Sequence, residues 1–187
     1  MPCHGSITRS PFARYDRVMP SPVGHALGAI AAGTVARGGG AVNRPWVAAA
    51  ILGAIGVAPD LDLLWNRHSQ ETHSIGAAVI VASLAAWRRW PIASSRGWIF
   101  VAAFFAWLSH PLLDALGSDS SVPIGVMAFW PVSTQHVSFG VEWFPSIYRA
   151  WWRPGFWQQN AYAVAVEIAI LAPAVGLALW QRRRHRS

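Results

Sequence analysis

The stretch WIFVAAFFAWLSHPLLDAL, residues 98–116, is apolar as far as Leu108 and then sets His110 and Asp114 one helical turn apart near its end. A helix needs roughly 17 to 25 apolar residues to cross a bilayer, so this is the length of a span. The ionisable pair at its end is the anomaly. A metal-binding or titratable side chain in or near hydrocarbon is costly and persists where it has a partner, which makes the pair a site candidate. Four more apolar segments accompany it, at residues 23–35, 46–65, 74–90 and 161–180. Of these, 46–65 and 161–180 have the length of spans, 74–90 is adequate, and 23–35 is marginal.

The expected fold is therefore all-α, a polytopic membrane helical bundle of about four to five spans. Residues 117–160 cannot form one helix, because Pro123, Pro131, Pro145 and Pro154 interrupt them. Trp130, Trp143, Trp151, Trp152 and Trp157 in the same stretch suit an irregular segment at the membrane interface. Such rings either pack against helix ends or grip a substrate.

Composition agrees. Of 187 residues, 53% are hydrophobic and 12% charged, too apolar for an ordinary soluble domain. The net charge is +7, and all 15 basic residues are Arg, which suits phosphate recognition. Placement argues against nucleic acid, since no separate basic domain or base-reading motif accompanies the charge. Arg37, Arg44, Arg88, Arg89, Arg96, Arg182, Arg183, Arg184 and Arg186 lie in short loops or tails beside apolar segments. Cys3 is the single cysteine, so no intramolecular disulfide forms. Residues 1–18 hold Arg9, Arg14 and Arg17 and lack the continuous apolar core of a signal peptide. They read as disordered, or as lying upstream of a true start at Met19, leaving 19–187 as one membrane-embedded domain. That domain opens on PSPVGHALG, with Pro22 to start a helix and Gly24 and Gly28 to give it a close-packing face.

Charge sets the topology. The Arg residues between the first and second segments, between the third and fourth, and after the fifth belong on one side, the cytoplasm. Alternating spans carry the start of the first segment, the end of the second, the start of the third and the end of the fourth to the other side. His25, Asp60, Asp62, His73, His110 and Asp114 stand at those four places. Six residues scattered over ninety positions thus converge on one face of the bundle, a result that the charge argument did not presuppose.

His110 and Asp114, four apart, share one helix face and can hold one ion, with Pro111 a tolerated kink between them. In PDLD, Pro59 disfavours helix at Ala58, which predicts a break from which Asp60 and Asp62 project together. Thr72 is of the type that caps a helix, placing His73 in the first turn of the third helix, and His25 stands similarly at the start of the first. A mixed nitrogen and oxygen set suits Zn²⁺, Mn²⁺ or Fe²⁺ better than Ca²⁺. Six ligands suffice for one ion or two, and a pair roughly 3.5 to 4 Å apart would activate a water for in-line displacement. Asp62 could instead act as a general base. Arg67 either neutralises a phosphate or anchors the interface. His68, Glu71, Asp119, His136 and Glu142 fall on the same side and are candidates to orient ligating imidazoles. Glu167, about six residues into the last segment, should face the bundle and pair with a His or Arg.

The order PSPVGHALG, PDLD, an Arg followed by THS, then SHPLLDALGSDSS and a later WP resembles the LexA-regulated inner-membrane metal-dependent hydrolases, the YdjM-type family. The resemblance runs from about Met19 to Val132 through His25, Asp60, Asp62, Arg67, His73, His110 and Asp114. It implies a multi-span bacterial inner-membrane protein classed as a metal-dependent hydrolase. The expectation is then hydrolysis of an ester or phosphoester, of a lipid or envelope substrate, at an extracytoplasmic centre. One or two divalent ions, Zn²⁺ first, sit on His25, Asp60, Asp62, His73, His110 and Asp114, with Asp62 and Arg67 as catalytic residues. Two other classes use the same residue types: a metal- or proton-coupled transporter, which would place them nearer the midplane, and a non-catalytic membrane scaffold.

Overall fold

The computed structural model describes residues 17–18, 20–38, 42–65, 67, 69–118 and 123–184. Helix α1, Pro22–Ala36, begins where Ser21 accepts a hydrogen bond from the Gly24 amide and Pro22 takes the first turn. Helix α2, Pro45–Val57, also starts on a proline and then tightens into a 3-10 turn, Ala58–Trp65. A short 3-10 turn, Glu71–His73, precedes α3, Ile75–Trp87. Helix α4, Arg96–Leu116, is capped by Ser95 and continues through Pro111, and α5 spans Phe156–Arg184. Arg17–Val18 (β1) pairs antiparallel with Ile147–Tyr148 (β2). So the end of the N-terminal stretch expected to be disordered is a paired strand, while residues 1–16 and Met19 lie outside the described residues.

Three stretches are long and apolar enough to cross a membrane: Pro45–Trp65, Arg96–Leu116 and Phe156–Arg182. Helices α1 and α3 have 15 and 13 residues. At about 1.5 Å per residue they reach only about 20 to 23 Å, short of a hydrocarbon core of about 30 Å. The membrane-type helical bundle is as expected, but its four to five spans resolve into three long helices and two short ones among the described residues.

Small residues let the helices approach. Ala29, Ala48, Ala78, Ala82, Ala102 and Ala106 are fully buried in one core cluster with Leu52. A Cβ on Gly56 of α2 would stand 2.6 Å from the His25 carbonyl and clash with Ala29, so α1 and α2 cross backbone to backbone there. Gly28 faces Leu113, and Gly33 faces Leu52 and the Ala102 carbonyl. These pairings make α1 antiparallel to both α2 and α4. Helix α5 runs parallel to α1: its Glu167 accepts from the Ser21 amide at 2.6 Å and from the Ser21 hydroxyl, while its Arg182 donates to the carbonyls of Thr34 and Gly38. An anion at the N-terminus of α1 and a cation at its C-terminus both complement the helix dipole.

The start of α1, the end of α2, the start of α3 and the end of α4 therefore meet at one end of the bundle. The segment after α4 folds across that end. Its Ala128 and Trp130 carbonyls accept from Ile75 and Gly76 of α3, and its Phe139 and Trp143 amides donate to Ala115 and Leu116 of α4. Helix ends that would expose unpaired backbone groups are thereby satisfied. Trp143, Trp151, Trp152 and Trp157 are 63–76% exposed, as in an interfacial belt, while the Trp130 ring packs on Gly76 at the start of α3.

Candidate metal centre

Four elements deliver the expected ligands. His25 comes from the first turn of α1, Asp60 from the 3-10 turn after α2, His73 from the turn before α3, and His110 and Asp114 from the last two turns of α4. His110 Nε2 lies 3.1 Å from His73 Nε2, 3.2 Å from Asp114 Oδ2 and 3.4 Å from Asp60 Oδ1. His73 Nε2 is 3.4 Å from Asp114 Oδ2 and 3.8 Å from Asp60 Oδ1. His25 stacks on His110 with ring centroids 3.6 Å apart, and its Nε2 is 3.2 Å from Asp114 Oδ1. Two overlapping groups, His25 with Asp60 and His110, and His73 with His110 and Asp114, are each compact enough to hold an ion. The three imidazoles and Asp114 are buried, whereas the Asp60 side chain keeps 20% exposure and forms the edge of the site.

The other nitrogen of each ring decides what the inner one can do. His110 Nδ1 stands 2.6 Å from the Gly56 carbonyl, an acceptor, so the proton belongs on Nδ1 and the Nε2 lone pair faces inward. His73 Nδ1 faces Asp62 Oδ2 at 3.2 Å and the Thr72 hydroxyl at 3.0 Å, and Thr72 in turn donates to Asp62 at 2.8 Å. This is the carboxylate–imidazole arrangement that fixes tautomer and ring orientation at metal sites. Burial pushes the His73 imidazole down, but its bonds to Asp60 and Asp62 push it up and prevail, so its pKa lies above the ordinary value.

The interior is thus lined by acceptors. Two imidazole lone pairs and the carboxylates of Asp60 and Asp114 face one another, and among the described residues neither Asp114 oxygen receives a hydrogen bond. Such a cluster calls for positive charge, supplied by protons on the imidazoles or by a metal ion. Ligands about 2.0 to 2.1 Å from a tetrahedral ion stand about 3.3 Å apart, and the spacings of His73 and His110 to each other and to Asp60 and Asp114, 3.1 to 3.8 Å, are close to this. The residues fit a divalent metal.

Several expectations are corrected in detail. The chain after Val57 does not become extended. It tightens into a 3-10 turn, so Asp60 and Asp62 diverge and approach His73 from opposite sides. Asp62 consequently stands behind His73, away from both compact groups. Ser74, not Thr72, caps α3, since its extended backbone lets its hydroxyl accept from Ala77. Arg67 is held by Gln70 and by Glu71 at 2.5 Å on the surface. Glu167 pairs with Ser21, not with a His or Arg. His136 and Glu142 do not join the cluster, and His68 and Asp119 lie outside the described residues. Sequence reasoning missed the Gly56 carbonyl, the Thr72 hydroxyl and Trp107, whose Nε1 donates to the Thr72 carbonyl at 2.8 Å and ties the histidine turn to α4. A backbone acceptor carries no sequence signal; THS did mark Thr72.

The sequence profile of the family described as YdjM inner membrane protein matches residues 19–185. The chain belongs to this family. The match begins just ahead of α1 and covers every residue of the His and Asp cluster. No curated protein and no solved structure matches the chain. The long apolar helices and the family together make this a membrane protein.

Proposed function

We propose that the chain is a metal-dependent hydrolase of the membrane interface, cleaving an ester or phosphoester in an amphiphilic substrate. Zn²⁺ is the favoured ion, and the centre faces the extracytoplasmic side. The observation that carries this reading is the inward set of lone pairs on His73, His110, Asp60 and Asp114, backed by outward partners that hold the rings in ligating form. A divalent ion held there would polarise a carbonyl or phosphoryl oxygen and acidify water. Asp60, the ligand with an open face, is placed to take a proton from an entering water at its carboxylate. Asp62 keeps His73 in register from behind, a positioning role instead of the general-base role expected of it. Arg67, exposed at the rim and bonded to Glu71, can exchange that partner for a substrate phosphate.

The rim favours amphiphiles. Leu61, Leu64 and Trp65, on the same turn as Asp60, are 57%, 74% and 69% exposed. The side assignment rests on Arg182, which meets the far end of α1, and on the Arg88–Arg96 loop opposite the centre. The position at helix ends suits hydrolysis at an interface better than a transport path through the midplane. The test is turnover of amphiphilic ester and phosphoester panels by zinc-loaded, detergent-purified protein, beside Asp60→Asn and His110→Ala. Turnover lowered at least 100-fold in Asp60→Asn is expected, about the weight of one acid–base group. Wild type that holds metal yet turns over nothing in either panel would end the hydrolase reading.

A further inference from the structure

Along the flank of the bundle, from Ala58 and Trp107 to Trp90 and Pro91, α2 and α3 both pack on α4 and scarcely on each other. The gap between them is a cavity of about 500 Å³ walled by Ile51 and Ile55 of α2, Val81 and Leu84 of α3, and Trp107 of α4. Its lining is almost wholly apolar, and Trp90 and Pro91 close it toward the Arg-bearing loop. The same two residues line a second cavity of about 380 Å³, and this one is polar, bounded by Arg89, Ser94, Ser95 and Arg96. A greasy groove thus runs directly into a cationic pocket.

The short α3 accounts for both. Its 13 residues rise about 20 Å, against 21 residues in α4, and the chain turns back just after Trp87. Below the end of α3 lies unfilled apolar surface that water would not occupy favourably. Arg89 is held at φ +52°, a left-handed conformation unusual for a side chain of its size. Among the described residues neither Arg89 nor Arg96 has a carboxylate partner, and the acidic residues that line the metal centre are at the opposite end. Two unneutralised guanidiniums beside an apolar groove within a membrane bundle match one ligand chemistry: a phosphate diester carrying an acyl chain.

We propose that the α2–α3 groove and the Arg89–Arg96 pocket form a binding site for one anionic phospholipid, its phosphate on Arg89 and Arg96 and one acyl chain along Ile51, Ile55, Val81 and Leu84. The Arg89–Arg96 end of the site lies away from the metal centre, no candidate metal ligand lines the groove, and binding does not depend on hydrolysis. Native mass spectrometry of the detergent-purified full chain, titrated with phosphatidylglycerol or with phosphatidylcholine, reads it directly. One retained phosphatidylglycerol per chain is expected, at least tenfold tighter than phosphatidylcholine. The double variant Arg89→Ala, Arg96→Ala should erase that preference, and Leu84→Trp, which fills the groove, should lower retention of both lipids. Metal content serves as the folding control and should stay at the wild-type level in both variants. Equal retention of the two lipids by wild type, or retention unchanged in both variants, would overturn the assignment. Displacement of the lipid by millimolar inorganic phosphate would overturn it too, by showing a free-anion pocket.

Discussion

Asp62→Asn separates a metal ligand from a residue that positions one. Asp62 Oδ2 accepts from Thr72 at 2.8 Å and stands 3.2 Å from His73 Nδ1, the nitrogen turned away from the cluster. The substitution keeps the volume and one acceptor oxygen but removes the charge that anchors the ring. Loss of such an outer partner costs about 10- to 100-fold in metal affinity, or about 1.4 to 2.7 kcal/mol at 1.4 kcal/mol per factor of ten. Asp114→Asn acts differently, because both Asp114 oxygens face imidazole nitrogens at 3.2 to 3.4 Å and receive no other donor. It places a buried N–H₂ among lone pairs and should leave no tightly held ion. Metal retained by purified protein after dialysis against buffers of graded free zinc distinguishes the two. Asp62→Asn should reach wild-type stoichiometry at free zinc about 10 to 100 times higher, while Asp114→Asn should not reach it. If Asp62→Asn lost the ion as completely as Asp114→Asn, Asp62 would be a direct ligand and the geometry argued for His73 would be wrong.

Gly56→Ala should destabilise by about 1 to 3 kcal/mol as an overpacked contact, since its Cβ would meet the His25 carbonyl at 2.6 Å. Gly97→Ala, with nothing within 4 Å, should be neutral or slightly stabilising, and thermal unfolding in detergent compares the two. Glu167→Ala strands the buried Ser21 amide and should cost about 1 to 3 kcal/mol, yet leave metal stoichiometry intact; joint loss of metal would bring Glu167 into the centre. Chelation should lower the unfolding temperature of wild type, because an ion held at about 1,000 times its Kd adds about 4 kcal/mol. The same treatment should leave Asp114→Asn unmoved, and an equal shift in both would place the stabilising ion elsewhere.

The helical class and the meeting of distant residues at one end were legible because both follow from periodic signals, apolar length and Arg placement. Gly24 and Gly28 announced a packing face that α1 indeed uses, with Glu167 and Leu113 as the close neighbours. Pro59 correctly marked the end of regular helix but not what replaces it. An extended strand and a 3-10 turn both satisfy a proline there, and only packing against α4 and the histidine turn selects the turn. That choice put Asp62 behind His73 and outside both compact groups. The cap at Ser74 instead of Thr72 has the same origin, two adjacent hydroxyl residues of which one finds a better partner in Asp62. Segment 74–90 looked adequate as a span, yet its helix stops at Trp87, where Arg88 and Arg89 turn the chain back.

The number of ions turns on His25. One nitrogen of His110 is committed to the Gly56 carbonyl, so its ring offers a single lone pair and cannot bridge two ions. Asp114 can bridge, with Oδ1 toward His25 and Oδ2 toward His73 and His110. Yet among the described residues His25 Nδ1 has no hydrogen-bond partner, whereas Gly56 prepares His110 and Asp62 prepares His73 as ligands. The proposed single-ion reading therefore uses His73, His110, Asp60 and Asp114, with His25 beside Asp114. Wild type should retain one zinc per chain through extensive dialysis, and His25→Ala should still retain one, with affinity lowered about 10- to 100-fold, as for an outer partner. Two ions per wild-type chain, falling to one in His25→Ala, would instead make His25 the ligand of a second ion and Asp114 the bridge between them.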